Sequence, residues 1–171
     1  MTEREAIAGM PSTGAVTISG GRTITEADVV SFAALTGDWH PQHADAEWAA
    51  RGHFGERVSH GMLVLSYAVG LIAFDPERVV ALRGLDGVTF KRPVLIGDTI
   101  RVESRVEQLK PLDGERALVA FAWRIVNQDD QVVVRARIEA LWSLEGEHAA
   151  DGFSANRGGD GDDLHAGSVL L

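Results

Sequence analysis

The stretch TGDWHPQHAD, residues 36–45, gathers four ionisable side chains around a proline. They are Asp38, His40, His43 and Asp45. Carboxylates and imidazoles are groups that proteins commonly use for general acid–base catalysis. Asp38 and His43 would face different directions on a continuous helix, but a loop bent at Pro41 lets them converge and hold a water molecule. The alternative is that Asp38 only caps backbone amides, while His43 satisfies a buried polar contact.

A second stretch, VSHGML at residues 58–63, is typical of a helix start. With Ser59 as the N-cap, His60 and Gly61 occupy the first helical positions, where backbone N–H groups have no partner inside the helix. The helix dipole adds positive potential, and Gly61 has no Cβ to keep a ligand away. This end could therefore bind the oxygen of a polarised carbonyl. The alternative is that Gly61 only allows close packing of the helix.

The two stretches complement each other chemically. An acid–base pair beside an oxyanion donor suits proton transfer at a carbon next to a carbonyl group. Four histidines, His40, His43, His53 and His60, also raise the question of a metal site. Their spacing is not that of a dedicated metal site, so we expect neither a metal nor another cofactor.

The composition narrows the classes of partner. The chain has 171 residues, a net charge of −9 and no cysteine, which excludes disulfides and thiolate chemistry. The negative charge argues against nucleic acid or an anionic membrane as the main partner. The N-terminal residues lack the apolar segment of a signal peptide, and the longest apolar run, residues 62–74, is too short to cross a bilayer. We therefore expect a cytoplasmic protein.

Helical signals come first along the chain. Thr25 and Asp28 form an acidic variant of the capping box, and Gly37 marks the end of that helix. Asp45 can cap a short helix that stops at Gly52. The longest apolar helix is predicted from His60 to about Phe74, and it should be buried because it is apolar nearly all round.

Strand signals follow Pro76. Long segments rich in Val, Ile and aromatic residues predict antiparallel strands, the first of them beginning at Leu85, with turns at PLDGE and NQDDQ. Two short strands are also expected before the first helix, at AVTIS and RTI. The order predicts an α+β fold in which a curved antiparallel sheet wraps a central helix. Because such a sheet leaves open edges and covers one side of the helix, we expect a homodimer.

Three segments resemble the MaoC-like dehydratases, also known as the (R)-specific enoyl-CoA hydratase family, which has the hot-dog fold. They are FAALTGDWHPQHADAEWA, VSHGML and VTFKRPVLIGDTI, and the resemblance extends over about residues 25–143. It implies a hot-dog domain at 13–145. We expect a flexible arm at 1–12 and, from its Gly- and Asp-rich composition, a disordered tail at 146–171.

The resemblance also implies roles for individual residues. Asp38 and His43 would be the hydratase pair, and the N–H of Gly61 would form the oxyanion hole. The implied substrate is an acyl-CoA or acyl-carrier-protein thioester, bound near the interface of a homodimer. Residues expected to contact the substrate are Trp39, His40, Ser59, His60, Ser66, Lys91 and Arg92.

This sequence departs from the family pattern at two places. The family usually has Asn where this chain has His40, and some members carry a hydroxyl residue where this chain has Val69, with Ser66 three residues earlier. Two alternatives to a hydratase also stay open. One is a hot-dog thioesterase, which commonly uses a carboxylate on the central helix. The other is a non-catalytic hot-dog subunit, which would have no need of Asp38 or His43.

Overall fold

The computed structural model describes residues 11–144. The arm expected at 1–12 lies mostly outside the described residues, and the tail expected at 146–171 lies wholly outside them. Ten elements follow one another along the chain: β1 (Val16–Ile18), β2 (Arg22–Thr23), α1 (Glu26–Thr36), α2 (Pro41–Ala44), α3 (Ala46–Ala50), α4 (Gly61–Leu71), β3 (Val79–Phe90), β4 (Thr99–Pro111), β5 (Arg116–Val126) and β6 (Val132–Ser143).

The strands form one antiparallel sheet in the order β1-β4-β5-β6-β3, and β2 also pairs with β4. Helix α4 packs against this sheet: Leu63, Val64, Leu65 and Ala68 share one core cluster with buried sheet residues such as Trp123. The predicted α+β arrangement, with one helix against an antiparallel sheet, is therefore confirmed. None of the helices within residues 11–144 has the length and apolar character that a bilayer crossing requires.

The predicted signals around α1 are confirmed. The Thr25 hydroxyl accepts a hydrogen bond from the Asp28 N–H, and the Asp28 carboxylate accepts one from the Thr25 N–H. Gly37 ends the helix with a left-handed backbone, φ 78°, which glycine adopts without a Cβ penalty. Asp28 also accepts hydrogen bonds from Tyr67 on α4 and Arg22 on β2, so α1 is tied to both neighbours.

The central helix is shorter than predicted. It begins at Gly61 with His60 as the N-cap, whereas the sequence predicts Ser59 in that position. The Ser59 N–H donates to the Val94 carbonyl at 2.7 Å, and this strand-like contact keeps Ser59 outside the helix. The helix ends at Leu71 rather than near Phe74, because the backbone of Ile72 is extended.

Strand β3 begins earlier than the sequence indicates. Strand β3 starts at Val79, where the run Val79–Leu82 pairs with Ala140–Trp142 of β6, while the sequence predicts its start near Leu85. Both predicted turns are present: Asp113 accepts N–H bonds in PLDGE, and the Asn127 side chain does so in NQDDQ.

Candidate active site

The loop between α1 and α3 is held by its own polar residues. His40 is the N-cap of α2, and its Nδ1 accepts the Gln42 N–H at 3.1 Å. Pro41 takes the first helical position, where a missing N–H costs nothing. Asp45 caps α3 by accepting the Trp48 N–H at 2.9 Å, as predicted. His40 therefore provides the N-cap hydrogen bond for which Asn is well suited. The histidine that replaces the family's usual Asn still stabilises the loop.

The sequence predicts His43 in a loop, but Pro41 begins a short helix and His43 lies on it, in α2. The ring of His43 is part-buried. Its Nδ1 is 2.7 Å from the Val58 carbonyl. Because a carbonyl oxygen only accepts, Nδ1 carries the hydrogen and Nε2 keeps a free lone pair when the ring is neutral. Burial of the ring lowers the pKa of His43 below its ordinary value of 6.5; nearby His60 adds to this effect, while the Val58 hydrogen bond and the Asp38 carboxylate oppose it.

Asp38 follows the end of α1. Its Oδ1 accepts the His40 N–H at 3.3 Å, while its side chain remains 52% exposed. The purely structural alternatives for Asp38 and His43 are therefore each half correct. Asp38 caps an amide with one oxygen, and His43 satisfies a buried carbonyl with one nitrogen, but each side chain has a second polar atom left for another partner.

Asp38, His43 and Gly61 line one cavity of about 200 Å³, here called the small cavity. Its other lining residues are Phe32, Thr36, His60 and Met62. Asp38, His43 and His60 each offer one potential metal-ligand atom, and these three atoms lie within 4.8 Å of one another. A metal ion could use such a donor set, but the Nε2–H of His60 already donates to the Asp38 carbonyl at 2.9 Å. The absence of a metal stays a prediction.

A larger cavity of about 380 Å³ adjoins the small one, and His43, Gly61 and Met62 line both. We call it the large cavity; its wall includes Ser59, Phe90, Lys91, Arg92 and several valines. Lys91 and Arg92 are exposed. The arrangement places cations along the wall of an apolar cavity whose other end reaches the acid–base pair.

Three predicted contact residues line neither cavity. Trp39 is 52% exposed. His40 points its ring at Trp48, with the ring centroids 5.4 Å apart. Ser66 donates its hydroxyl to the Met62 carbonyl within α4 at 2.7 Å. A direct substrate contact from any of these three side chains therefore has no support in the geometry.

Sequence reasoning missed two aromatic residues of the site. Phe32 lines the small cavity together with Thr36. The two residues are one helical turn apart on α1, and this spacing was the sequence signal that could have placed them on the same face. Phe90 lies against Gly61: a Cβ added at Gly61 would meet the Phe90 ring at 2.7 Å. Phe90 is on β3, far from Gly61 in sequence, so only the folded chain brings them together.

Known proteins share this architecture. Residues 11–122 match the model of the family described as "MaoC like domain". The chain is 48% identical over 82 residues to Protein MaoC of Klebsiella aerogenes, covering 47% of this chain and 24% of that protein. It is 37% identical over 93 residues to a 3-hydroxybutyryl-CoA dehydratase of Methylorubrum extorquens, covering 53% of this chain and 57% of that protein. The chain thus spans a quarter to just over half of these relatives.

A solved structure, an R-hydratase from Pseudomonas aeruginosa, superposes with a TM-score of 0.64 at 33% identity. The match covers 76% of this chain and 81% of that one. A further structural match, from Mycobacterium tuberculosis, is described as a double hot-dog fold, with a TM-score of 0.67 at 19% identity. The expected hot-dog fold is confirmed.

The lowered pKa of His43 can be tested directly. We expect its ring to titrate below pH 6.5 in an NMR pH titration of the folded protein, with the resonance assigned by a His43→Asn variant. Since folding favours the neutral ring, the stability from this group is fully present above pH 6.5 and is lost as the pH falls below that value. A midpoint above 6.5 would contradict the burial argument.

Proposed function

Because the chain belongs to the MaoC-like domain family, we propose that it catalyses the reversible hydration of a trans-2-enoyl thioester to an (R)-3-hydroxyacyl thioester. The observation that carries this proposal is the convergence of Asp38, His43 and Gly61 on one cavity. The names of the similar dehydratase and R-hydratase support the same reaction class.

The first step is to hold a water molecule. A carboxylate oxygen of Asp38 and a ring nitrogen of His43 lie within 4.8 Å of each other, a gap that one water can bridge because each hydrogen bond spans about 2.8 Å. The carboxylate and the Nε2 of neutral His43 are both acceptors, so the water gives one hydrogen to each. Its oxygen lone pairs then face away from the pair, toward the substrate.

The second step is addition across the double bond. The water oxygen bonds to the β-carbon while one of the two acceptors takes the proton from the breaking O–H bond. The π electrons of the double bond move toward the thioester carbonyl as an enolate. The α-carbon then takes the proton back from the group that accepted it, which returns the acid–base pair to its starting state. Dehydration reverses these steps.

The third component is a donor for the carbonyl oxygen. Gly61 is the first residue of α4, where its N–H is free of intrahelical bonding and lies at the positive end of the helix dipole. As negative charge develops on the enolate oxygen, this N–H would stabilise it more strongly than it stabilises the substrate carbonyl.

The carrier of the acyl group would be recognised in the large cavity. Lys91 and Arg92 place positive charge on its wall, and Arg92 is oriented by donating to the Val132 carbonyl at 2.8 Å. Coenzyme A and acyl carrier protein both present phosphate groups on a pantetheine arm, for which such cations are suited. The mechanism uses no metal or organic cofactor, and a cytoplasmic location stays a prediction.

Removing either member of the acid–base pair should abolish most turnover. We expect Asp38→Asn and His43→Ala each to lower the rate of crotonyl-CoA hydration by about 10²–10⁴-fold, because water activation is lost. The assay follows the absorbance of the conjugated double bond. The control is His53→Ala, since His53 is exposed and lines neither cavity. Near-normal turnover in both variants would refute the assignment, and a parallel thiol-release assay distinguishes a thioesterase.

The proposed role of the Gly61 N–H as oxyanion donor can be distinguished from a role of Gly61 in packing against Phe90. Gly61→Ala should lower kcat by about 10²-fold, because a methyl group obstructs the approach of the carbonyl to the N–H. The same methyl group also collides with Phe90, so the double variant Gly61→Ala/Phe90→Ala supplies the control. We expect the double variant to stay slow. Recovery to the rate of Phe90→Ala alone would show that Gly61 serves only to accommodate the ring.

We further propose that two copies of the chain pair through β3. This strand is the last in the sheet, and one edge of it has no strand partner within residues 11–144. Its exposed apolar residues are Val80, Leu82, Leu85 and Phe90. An open, apolar edge of this length is a favourable site for pairing with another chain. Because Phe90 contacts Gly61, a partner on β3 would lie close to the site.

The dimer is tested by placing a charge on this edge. The chain, of 18.4 kDa, should elute as a dimer when its mass is measured by light scattering, and Leu82→Glu should shift it toward the monomer. Leu35→Glu is the control, because Leu35 is 82% exposed on α1, away from the edge. A monomeric wild-type chain, or a dimeric Leu82→Glu variant with native circular dichroism, would contradict the proposed interface.

A further inference from the structure

His60 is a buried imidazole to which the proposed mechanism gives no task. Its side chain is only 2% exposed. The centroid of its ring is 3.9 Å from that of the His43 ring, and the two ring planes make an angle of 28°. The ring of Phe32 lies 5.1 Å away on α1. The imidazole therefore forms part of the packed wall of the small cavity, beneath the acid–base pair.

The ring makes one polar contact. Its Nε2 is 2.9 Å from the Asp38 carbonyl oxygen, so Nε2 carries the hydrogen and donates it. Its buried Nδ1 has no hydrogen-bond partner in the part of the chain that the structure describes. An unpaired buried nitrogen costs stability, and a phenylalanine would keep the ring contacts without that cost. The contact with Asp38 is therefore what the imidazole provides that a phenylalanine could not.

Asp38 has few other anchors. Its N–H donates to the Thr36 hydroxyl and its Oδ1 accepts from the His40 N–H, both at a long 3.3 Å. Its side chain is half exposed, so packing alone does not fix the carboxylate. The shorter bond from His60 is the strongest restraint on the backbone that carries this group.

We propose that His60 is a positioning residue that aligns the two halves of the acid–base pair, an inference that rests on the proposed function. Its Nε2–H holds the main chain of Asp38, and its ring face supports the ring of His43. Both groups are thereby directed at one water molecule. Since His60 also immediately precedes Gly61, one residue links the acid–base pair to the oxyanion donor.

Two variants separate the N–H donor from the ring. His60→Phe keeps a flat ring but has no donor, whereas His60→Gln offers an amide N–H without the ring. We expect His60→Phe to lower kcat for crotonyl-CoA about 10²-fold with KM within about threefold of wild type, because misplaced groups slow the chemical step more than binding. His60→Gln should recover at least tenfold of that loss.

Ser104→Ala is the matched control for a purely structural effect. It removes the acceptor of another buried hydrogen bond, from Trp123 Nε1 at 3.0 Å, within the sheet. This variant should lower the melting temperature and leave kcat unchanged. A wild-type kcat in His60→Phe, or a glutamine variant as slow as the phenylalanine variant, would overturn the proposal.

NMR of the full chain labelled with ¹⁵N provides a readout independent of activity. The His60 ring should show hydrogen on Nε2, and His60→Phe should shift the backbone amide of Asp38 and the ring signals of His43. Unchanged signals would overturn the positioning role even in an active enzyme. Absence of wild-type hydration with every enoyl thioester tried would instead overturn the proposed function, while the NMR result would still decide the role of His60.

Discussion

Two hydrogen bonds from histidine rings to main-chain carbonyls hold the site together. His43 of the loop donates to Val58, and His60, next to the helix start, donates back to Asp38 of the loop. One bond joins the loop to the segment before α4, and the other joins that segment back to the loop. Together the two bonds fix both the distance between the loop and this segment and their relative orientation. They also decide which ring nitrogen carries hydrogen, and so which nitrogen of His43 can accept a proton.

The surrounding fold keeps these two segments in place. Tyr67 of α4 and Arg22 of β2 both donate to Asp28 of α1, so α1 is fixed on the central helix before the loop begins. Burial raises the pKa of Asp28, but the hydrogen bonds from Tyr67, Thr25 and Arg22 together outweigh it and lower the pKa to about 2. On the other side, Ser59 donates to the Val94 carbonyl and aligns the helix start with the segment before β4.

The two cavities differ in the chemistry of their lining residues. The small cavity contains the acidic and imidazole groups, while the large cavity is mainly apolar and has Lys91 and Arg92 on its wall. They share His43, Gly61 and Met62, so the extended thioester proposed for the large cavity would reach the acid–base pair where the two cavities meet. Phe90 lines the large cavity and covers Gly61 from the exposed end of β3, which links the proposed dimer edge to the chemistry.

The sequence by itself determined the order of the main helices and strands and the principal candidates, although it predicted a loop where α2 forms. Local signals do this work, because a capping box at Thr25, a stop at Gly37 and a cap at Asp45 act within a few residues. Asp38, His43 and Gly61 were also identified from spacing and from the family resemblance. Only the tertiary structure decided the helix start at Gly61, the contact between Gly61 and Phe90 and the buried place of His60. Each of these depends on a partner distant in sequence, and no local preference encodes such a partner.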